Sequence, residues 1–373
     1  MKLVSLRLHR LEMPLVSPFT TSFSTQTVRH PMLVEVVADI RGDLLTGWGE
    51  CVALDAPVYS SEYSDGAVEV IRRWIAPRLF SVGEFTAETV ATHLAPIVGH
   101  RMAKAAVEMA VLDAQLRHRD ESYAQYLGAT RSTVPSGVSV GIQPGVPELL
   151  DAVEGYVDEG YARIKLKIKP GHDLAEVRAI RERFGADLPF QVDANTAYTL
   201  ADAGLLRALD EFRLLLIEQP LGEEDIRQHA ELARLITTPV CLDESIVSAE
   251  LAADAIALRA AAVINIKPGR VGGYVEARRI HDLALANGVP VWCGGMLETG
   301  IGRAANIALA ALPGFTLPGD ISGSNRFYAQ DIIEEPIVMR DGIVDVPTGP
   351  GFGVDVDHAA VNAFRRDLVE IVA

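Results

Sequence analysis

The sequence predicts an α/β protein, a closed barrel of eight parallel strands alternating with helices, preceded by a separate α+β unit. Three observations carry this reading. Lys167, Asp193, Glu218, Asp243 and Lys267 recur at intervals of 26, 25, 25 and 24 residues. Each closes a short apolar run: ARIKLK ends in Lys167, PFQV precedes Asp193, RLLLI precedes Glu218, PVCL precedes Asp243 and AVINI precedes Lys267. Runs this short, separated by amphipathic stretches, read as buried parallel strands joined by helices. A repeated strand–helix unit closes into a barrel whose chemistry gathers at the carboxyl ends of its strands. Five charged residues at successive strand ends therefore converge on one mouth.

The N-terminal unit comes first. Alternating patterns at Lys2–Met13, Met32–Asp39 and Leu44–Cys51 predict strands. Helical patterns follow at Asp65–Leu79, Thr86–Ile97 and Arg101–Arg119. Strands followed by helices mark an α+β unit. SPFTTSFSTQTVRHP and VALDAPVYSSEYSD, rich in hydroxyls and turn formers, read as surface loops that nevertheless carry Phe19, Phe23 and Tyr59. The barrel strands follow at Pro135–Gly141, Ala162–Ile168, Pro189–Asn195, Leu214–Gln219, Val240–Glu244, Ala262–Lys267, Val289–Gly294 and Phe315–Ile321. Helices lie between them, for example at Asp225–Ile236, Gly273–Asn287 and Thr299–Leu312. After Ile321 the rhythm stops. The tail holds a hairpin with Asp341–Gly342 at its turn, expected to return against the first unit.

Bulk properties narrow the function. At 373 residues, two domains are the natural expectation. A formal charge of −16 argues against a nucleic-acid partner, which needs a basic face. Cys51, Cys241 and Cys293, odd in number and scattered, suit a reducing cytoplasm. No signal-peptide core opens the chain, and no apolar run approaches the ~20 residues that cross a bilayer. There is no HExxH, no Walker A sequence, no G-x-S-x-G and no strand-linked GxGxxG. The expectation is a cytoplasmic enzyme acting on a small molecule.

The charged strand ends define the chemistry. Burying a carboxylate without a partner costs several kcal/mol. Asp193, Glu218 and Asp243 converging on one point would repel each other unless a cation joined them. Hard oxygen ligands suit Mg²⁺, with Mn²⁺ or another divalent cation as substitute. Three separate salt bridges are the alternative. Lys165 and Lys167, two residues apart, share one face of their strand, as Asp193 and Asn195 do on theirs. Two neighbouring ammonium groups are expected to lower each other's pKa. Lys267 lies across the barrel. Two bases on opposite sides of a carbon can move a proton from one face to the other; one base alone can support syn elimination of water.

This arrangement resembles the enolase superfamily, for which a Lys or His base beside Mg²⁺ is a known pattern. The lysine pair is similar to that of the muconate lactonizing enzyme subgroup, and no His follows VPVWCGG as the mandelate racemase subgroup would require. GGMLETGIGRAANIALA, LPGDIS and PFTTSF are similar to the branch of o-succinylbenzoate synthases and N-succinylamino acid (N-acylamino acid) racemases. The resemblance implies a modified (β/α)8 barrel of the TIM type at residues 126–322. It further implies an α+β capping domain at 1–125 and a C-terminal return at 323–373. It makes Asp193, Glu218 and Asp243 the Mg²⁺ ligands, Lys167 the base, Lys165 its modulator and Lys267 the second base or a stabilising cation. It places Ser139, Asn195, Gly295, Leu297, Phe19, Phe23 and Tyr59 around the substrate, the two loops acting as a lid. The implied substrate is a small carboxylate and the implied chemistry is α-proton abstraction. That abstraction serves either dehydration in menaquinone synthesis or racemization of N-acylated amino acids, with a muconate-type cycloisomerase as the alternative. Ser322, where the dipeptide epimerase branch carries a second Asp, speaks against free dipeptides. A homo-oligomer is expected.

Overall fold

The computed structural model describes all 373 residues. Its N-terminal part opens with five strands: β1 (Lys2–Leu11), β2 (Met13–Thr20), β3 (Thr25–Arg29), β4 (Met32–Ile40) and β5 (Asp43–Cys51). β4 and β5 join through Arg41 and Gly42, both at positive φ (59° and 95°), the backbone a tight two-residue hairpin requires. A continuous helical run covers Ser64–Val82, with a π-helical turn at Ile71–Ile75. The helix Arg101–Arg119 then packs directly on β5. It can approach because Gly47 and Gly49 lack side chains; a Cβ at either would strike the carbonyl oxygens of Ala110 and Ala106.

The barrel follows. After β6 (Thr133–Pro135) come β7 (Gly137–Val140), β8 (Arg163–Lys167), β9 (Phe190–Asp193), β10 (Ile217–Glu218), β11 (Val240–Leu242), β12 (Val263–Ile266) and β13 (Val291–Cys293). β7 to β13 pair in parallel, in chain order, as one seven-stranded sheet. The expected eighth strand, Phe315–Ile321, is not regular. It closes the barrel through single bridges, Phe315 to Val291 and Gly319 to Ser136. Gly137 N–H donates to Gly319 O (2.7 Å) and Asp320 N–H to Cys293 O (2.9 Å). Pro318, which has no N–H, interrupts the ladder between those contacts.

Two further expectations are corrected. The hydroxyl-rich segment read as a loop is the β2–β3 hairpin, in which Phe19 pairs with Gln26 and Thr20 with Thr25; its threonines favour strand despite Pro14 and Pro18. The tail hairpin, β14 (Met339–Arg340) and β15 (Ile343–Asp345), pairs with β6 beside the barrel rather than with the N-terminal sheet. The last strand, β16 (Arg365–Val372), does return to that sheet and pairs with β1, giving the order β16-β1-β4-β5.

Two buried carboxylates tie the N-terminal elements to barrel helices. Glu50, at the end of β5, accepts hydrogen bonds from Thr299 N–H (3.0 Å), Thr299 Oγ1 (2.7 Å) and Gly302 N–H (3.0 Å), at the start of the helix Gly300–Ala310. Glu108 accepts from Val275 N–H (3.1 Å), at the start of the helix Tyr274–Ala286. Acids are favoured at helix starts, yet burial dominates here. It pushes Glu50 up to about 7, with Glu298 adding repulsion, and Glu108 up to about 8. Both therefore hold protons more tightly folded than unfolded. The stability they contribute is complete below the ordinary value of 4.5 and is lost as pH rises through about 7 to 8. Thermal unfolding should show the parent losing a few kcal/mol more stability between about pH 6 and pH 9 than a Glu50→Gln/Glu108→Gln variant. Equal losses would show that these acids do not govern the alkaline limb.

Candidate active site

The barrel interior is layered by strand alternation. Leu216, Cys241, Val263 and Trp292 form a small apolar core separate from the main one. Above it, Arg163, Lys165 and Lys167 all point inward from β8, while Ile164, Leu166 and Ile168 pack outward in the main core. Lys165 Nζ lies 4.7 Å from the centre of the Trp292 ring, a cation–π contact at the boundary between apolar floor and charged layer.

In that layer each acid meets an ammonium from a neighbouring element. Lys165 Nζ donates to Asp320 Oδ2 (2.5 Å) and Glu218 Oε2 (3.1 Å), with Asp193 Oδ2 at 3.4 Å. Lys167 Nζ donates to Asp193 Oδ2 (2.6 Å) and Asn195 Oδ1 (2.7 Å). Lys267 Nζ donates to Asp243 Oδ2 (2.8 Å) and to the Tyr59 hydroxyl (3.0 Å). Arg270 pairs with the other oxygen of Asp243. Asn265 Nδ2 holds Glu218 Oε1 (2.7 Å), and Asn195 Nδ2 holds Glu244 Oε1 (3.0 Å).

Burial and charge act in opposition on these groups. Burial alone would lower Lys165, but Asp320, Glu218 and Asp193 raise it well above the usual lysine range. The expectation that paired lysines depress one another therefore fails at Lys165; three carboxylates outweigh burial and the neighbouring Arg163 guanidinium. Burial raises Asp193, yet Lys167 and Lys165 bring it below the usual carboxylate range. Glu218 is raised, by burial first and then by Asp193. Glu244 is pushed up to about 7 by burial and by Asp193.

Repulsion between Glu218 and Asp193 is what a pair of hard oxygen donors for a divalent cation should show. Asp193, Glu218 and Asp243 stand on adjacent strands and suit such an ion in donor chemistry. As the side chains lie, no three acidic, His or Cys side chains form a coordination shell, because lysines and arginine occupy the carboxylate oxygens.

Over the lysines lies a cavity of about 720 Å³, part of it open to solvent. Lys165, Lys167 and Lys267 reach its floor, and Ser139, Asn195, Gly295, Leu297, Phe19, Phe23 and Tyr59 all line it. The three acids lie beneath that floor rather than in the lining. Asn195 and Leu297 hold positive φ (41° and 58°), so both strand-end turns are tightly specified. The hairpin and the loop after β5 meet over the cavity, with Phe23 and Tyr59 rings 6.1 Å apart. Asp320 and Ser322, at the end of the expected eighth strand, also line it, as do Met296, Arg326 and Phe327, which the strand-end periodicity could not single out. Asp320 sits in the irregular eighth segment; Arg326 and Phe327 follow after the repeat has stopped.

A family model described as enolase C-terminal domain-like matches residues 148–360, and one for the mandelate racemase / muconate lactonizing enzyme N-terminal domain matches 4–128. The chain belongs to the enolase superfamily. It is 62% identical over 354 residues to an N-succinylamino acid racemase of Amycolatopsis sp, covering 95% of each chain. It is 47% identical over 359 residues to an o-succinylbenzoate synthase of Geobacillus kaustophilus, covering 96% of this chain and 95% of that one. A crystal structure of an enolase superfamily member from Listeria innocua superposes with a TM-score of 0.95 at 39% identity, covering 100% of this chain and 99% of that one. This enolase superfamily member is an enzyme, and its barrel is the modified TIM type.

Lys165 is the cation on which the buried acids most depend. Lys165→Ala should lower unfolding free energy by about 3–5 kcal/mol, the usual cost of stranding buried charge. Denaturant titration checks this. A loss below about 1 kcal/mol would show that the neighbouring acids do not need it.

Proposed function

We propose that this enzyme removes the proton α to a carboxylate, in N-succinylamino acid (N-acylamino acid) racemization, in dehydration to o-succinylbenzoate, or in both. The observation that carries the reading is the placement of Lys167 and Lys267 at the floor of one cavity, on β8 and just beyond β12. The similarity to a racemase and a synthase over nearly the whole chain supports it.

In this reading Asp193, Glu218 and Asp243 hold Mg²⁺ or another divalent cation, which when bound supplies positive charge to the substrate carboxylate. Lys167, as the free amine, takes the α-proton onto Nζ, and Asn195 and Asp193 hold the ammonium so formed. Lys165, kept protonated by its three acids, offers fixed positive charge where negative charge develops in the transition state. An α-proton beside a carboxylate is so weakly acidic that stabilisation on the order of 10 kcal/mol is required for useful rates. Lys267, as an ammonium, delivers its own proton to the opposite face in racemization and is left as the free amine, or remains a cation in dehydration. The aromatic lid excludes water above the reacting carbon.

We further infer a cytoplasmic location. No helix is long and apolar enough to cross a membrane, and Cys51, Cys241 and Cys293 are all free and buried.

The decisive measurement follows deuterium exchange from solvent into each enantiomer of N-succinylphenylalanine. The parent should exchange both. Lys267→Ala should abolish exchange of one enantiomer while keeping that of the other, and Lys167→Ala should show the reverse preference. Chelation should remove activity and Mg²⁺ restore it. Exchange of neither enantiomer, together with no dehydration of the synthase substrate, would overturn the reading.

A further inference from the structure

The two candidate bases are supported from different parts of the molecule. Lys167 Nζ is held by the side chains of Asp193 and Asn195, at and just beyond the end of β9; the hairpin reaches only the Asn195 main-chain carbonyl, through Ser22 Oγ at 3.4 Å, so barrel side chains position the amine. Lys267 Nζ is held on one side by Asp243 of the barrel and on the other by Tyr59. Tyr59 belongs to the loop after β5, on the N-terminal side of the cavity. Its hydroxyl accepts the Lys267 N–H at 3.0 Å, and its ring centre lies 4.8 Å from the same nitrogen. A hydrogen bond and a cation–π contact from one side chain fix both the distance and the direction of an ammonium group. Tyr59 also packs against Phe23 of the β2–β3 hairpin, so both lid segments meet at this residue.

We propose that Tyr59 is a positioning residue that aims Lys267 from the lid, so that the lid's placement governs the Lys267 half of the chemistry and leaves the Lys167 half to the barrel. The inference rests on the two-base reading above and adds an asymmetry to it. Proton abstraction by Lys167 and one-sided elimination use Lys267 only as a cation, whose charge acts without a strict direction. Racemization needs a second amine directed at the opposite face of the same carbon, where small misplacements cost large factors in rate. Tyr59 therefore sets the ratio between racemization and dehydration rather than the rate of the shared first step. Arg270 Nη1 donates to the same hydroxyl at 3.3 Å and anchors it from the barrel side.

The test compares Tyr59→Phe, which keeps the ring, with Tyr59→Leu, which loses ring and hydroxyl. Deuterium exchange into the two enantiomers of N-succinylphenylalanine is measured for each variant and the parent. The enantiomer whose exchange is lost in Lys267→Ala should slow on the order of tenfold more than its mirror image in Tyr59→Phe. The disparity should be larger in Tyr59→Leu, with a parallel fall in racemization relative to dehydration. A variant that merely folds poorly would slow both enantiomers by the same factor, and that result overturns the proposal. An unchanged ratio with a well-folded variant overturns it equally. If the parent itself exchanges neither enantiomer, the fault lies in the two-base reading rather than in Tyr59.

Discussion

Charge neutralisation inside the barrel is the constraint on which the rest of the structure depends. Five cations (Arg163, Lys165, Lys167, Lys267 and Arg270) face five acids (Asp193, Glu218, Asp243, Glu244 and Asp320) around one small volume. Nearly all are buried. Any one of them left alone would cost several kcal/mol. Each touches a partner on another strand or turn, and Arg163 and Lys165 reach Asp320 beyond β13, so the charges are satisfied only if β8 to β12 and that closing segment stand in this order and this register. A one-residue slip in any strand would turn its charge outward into the apolar shell of helices. The chemistry and the topology thus enforce each other. Lys165, wedged between Trp292 and three carboxylates, is where the two requirements meet.

The same device, a buried acid with imperfect compensation, holds the lid over the barrel. Glu50 and Glu108 reach from β5 and the helix Arg101–Arg119 to two barrel helix starts. Both take hydrogen bonds from main-chain N–H groups rather than from side-chain cations. Helix-start amides are fixed in direction, which specifies orientation better than a flexible lysine would. The β2–β3 hairpin and the loop carrying Tyr59 are then attached to a base whose angle to the barrel is set elsewhere.

The repeat of charged residues at intervals of 24 to 26 was enough to read the barrel, because strand ends there are marked by buried charge at constant phase. The eighth strand is less regular than its composition implies. Phe315–Ile321 is apolar enough, but Pro318 and Gly319 lie within it, and they leave only two bridges. The β2–β3 hairpin was under-read, because its strands are short, hydroxyl-rich and paired with each other rather than with the main sheet. The three lysines and three acids converge because alternation dictates it. Their electrostatics were not legible: the neighbour that decides Lys165 is Asp320, 155 residues away and in a segment with no regular period. Of the other seven lining residues, Asn195 shares a face with Asp193 by alternation; the remaining six rest on resemblance, since contacts between separate segments leave no local signal.

The cavity joins two unlike surfaces, and that bears on how narrowly it can select. Its floor is cationic and directional, and would fix a carboxylate and its α-carbon closely. Its upper wall includes Phe19, Phe23, Met296, Leu297 and Phe327, which meet a ligand by shape alone. A hydrophobic wall separates ligands that differ by one methylene by only about 1–3 kcal/mol, far less than a site that hydrogen-bonds each group. Discrimination along this wall is therefore loose, and sharper selection away from the lysines falls to the few polar lining groups, such as Gln26 and Arg326. A fold built this way can keep one proton-abstraction step while changing the reaction it completes through a few lid contacts. That fits a chain similar both to a racemase and to a synthase across almost its whole length.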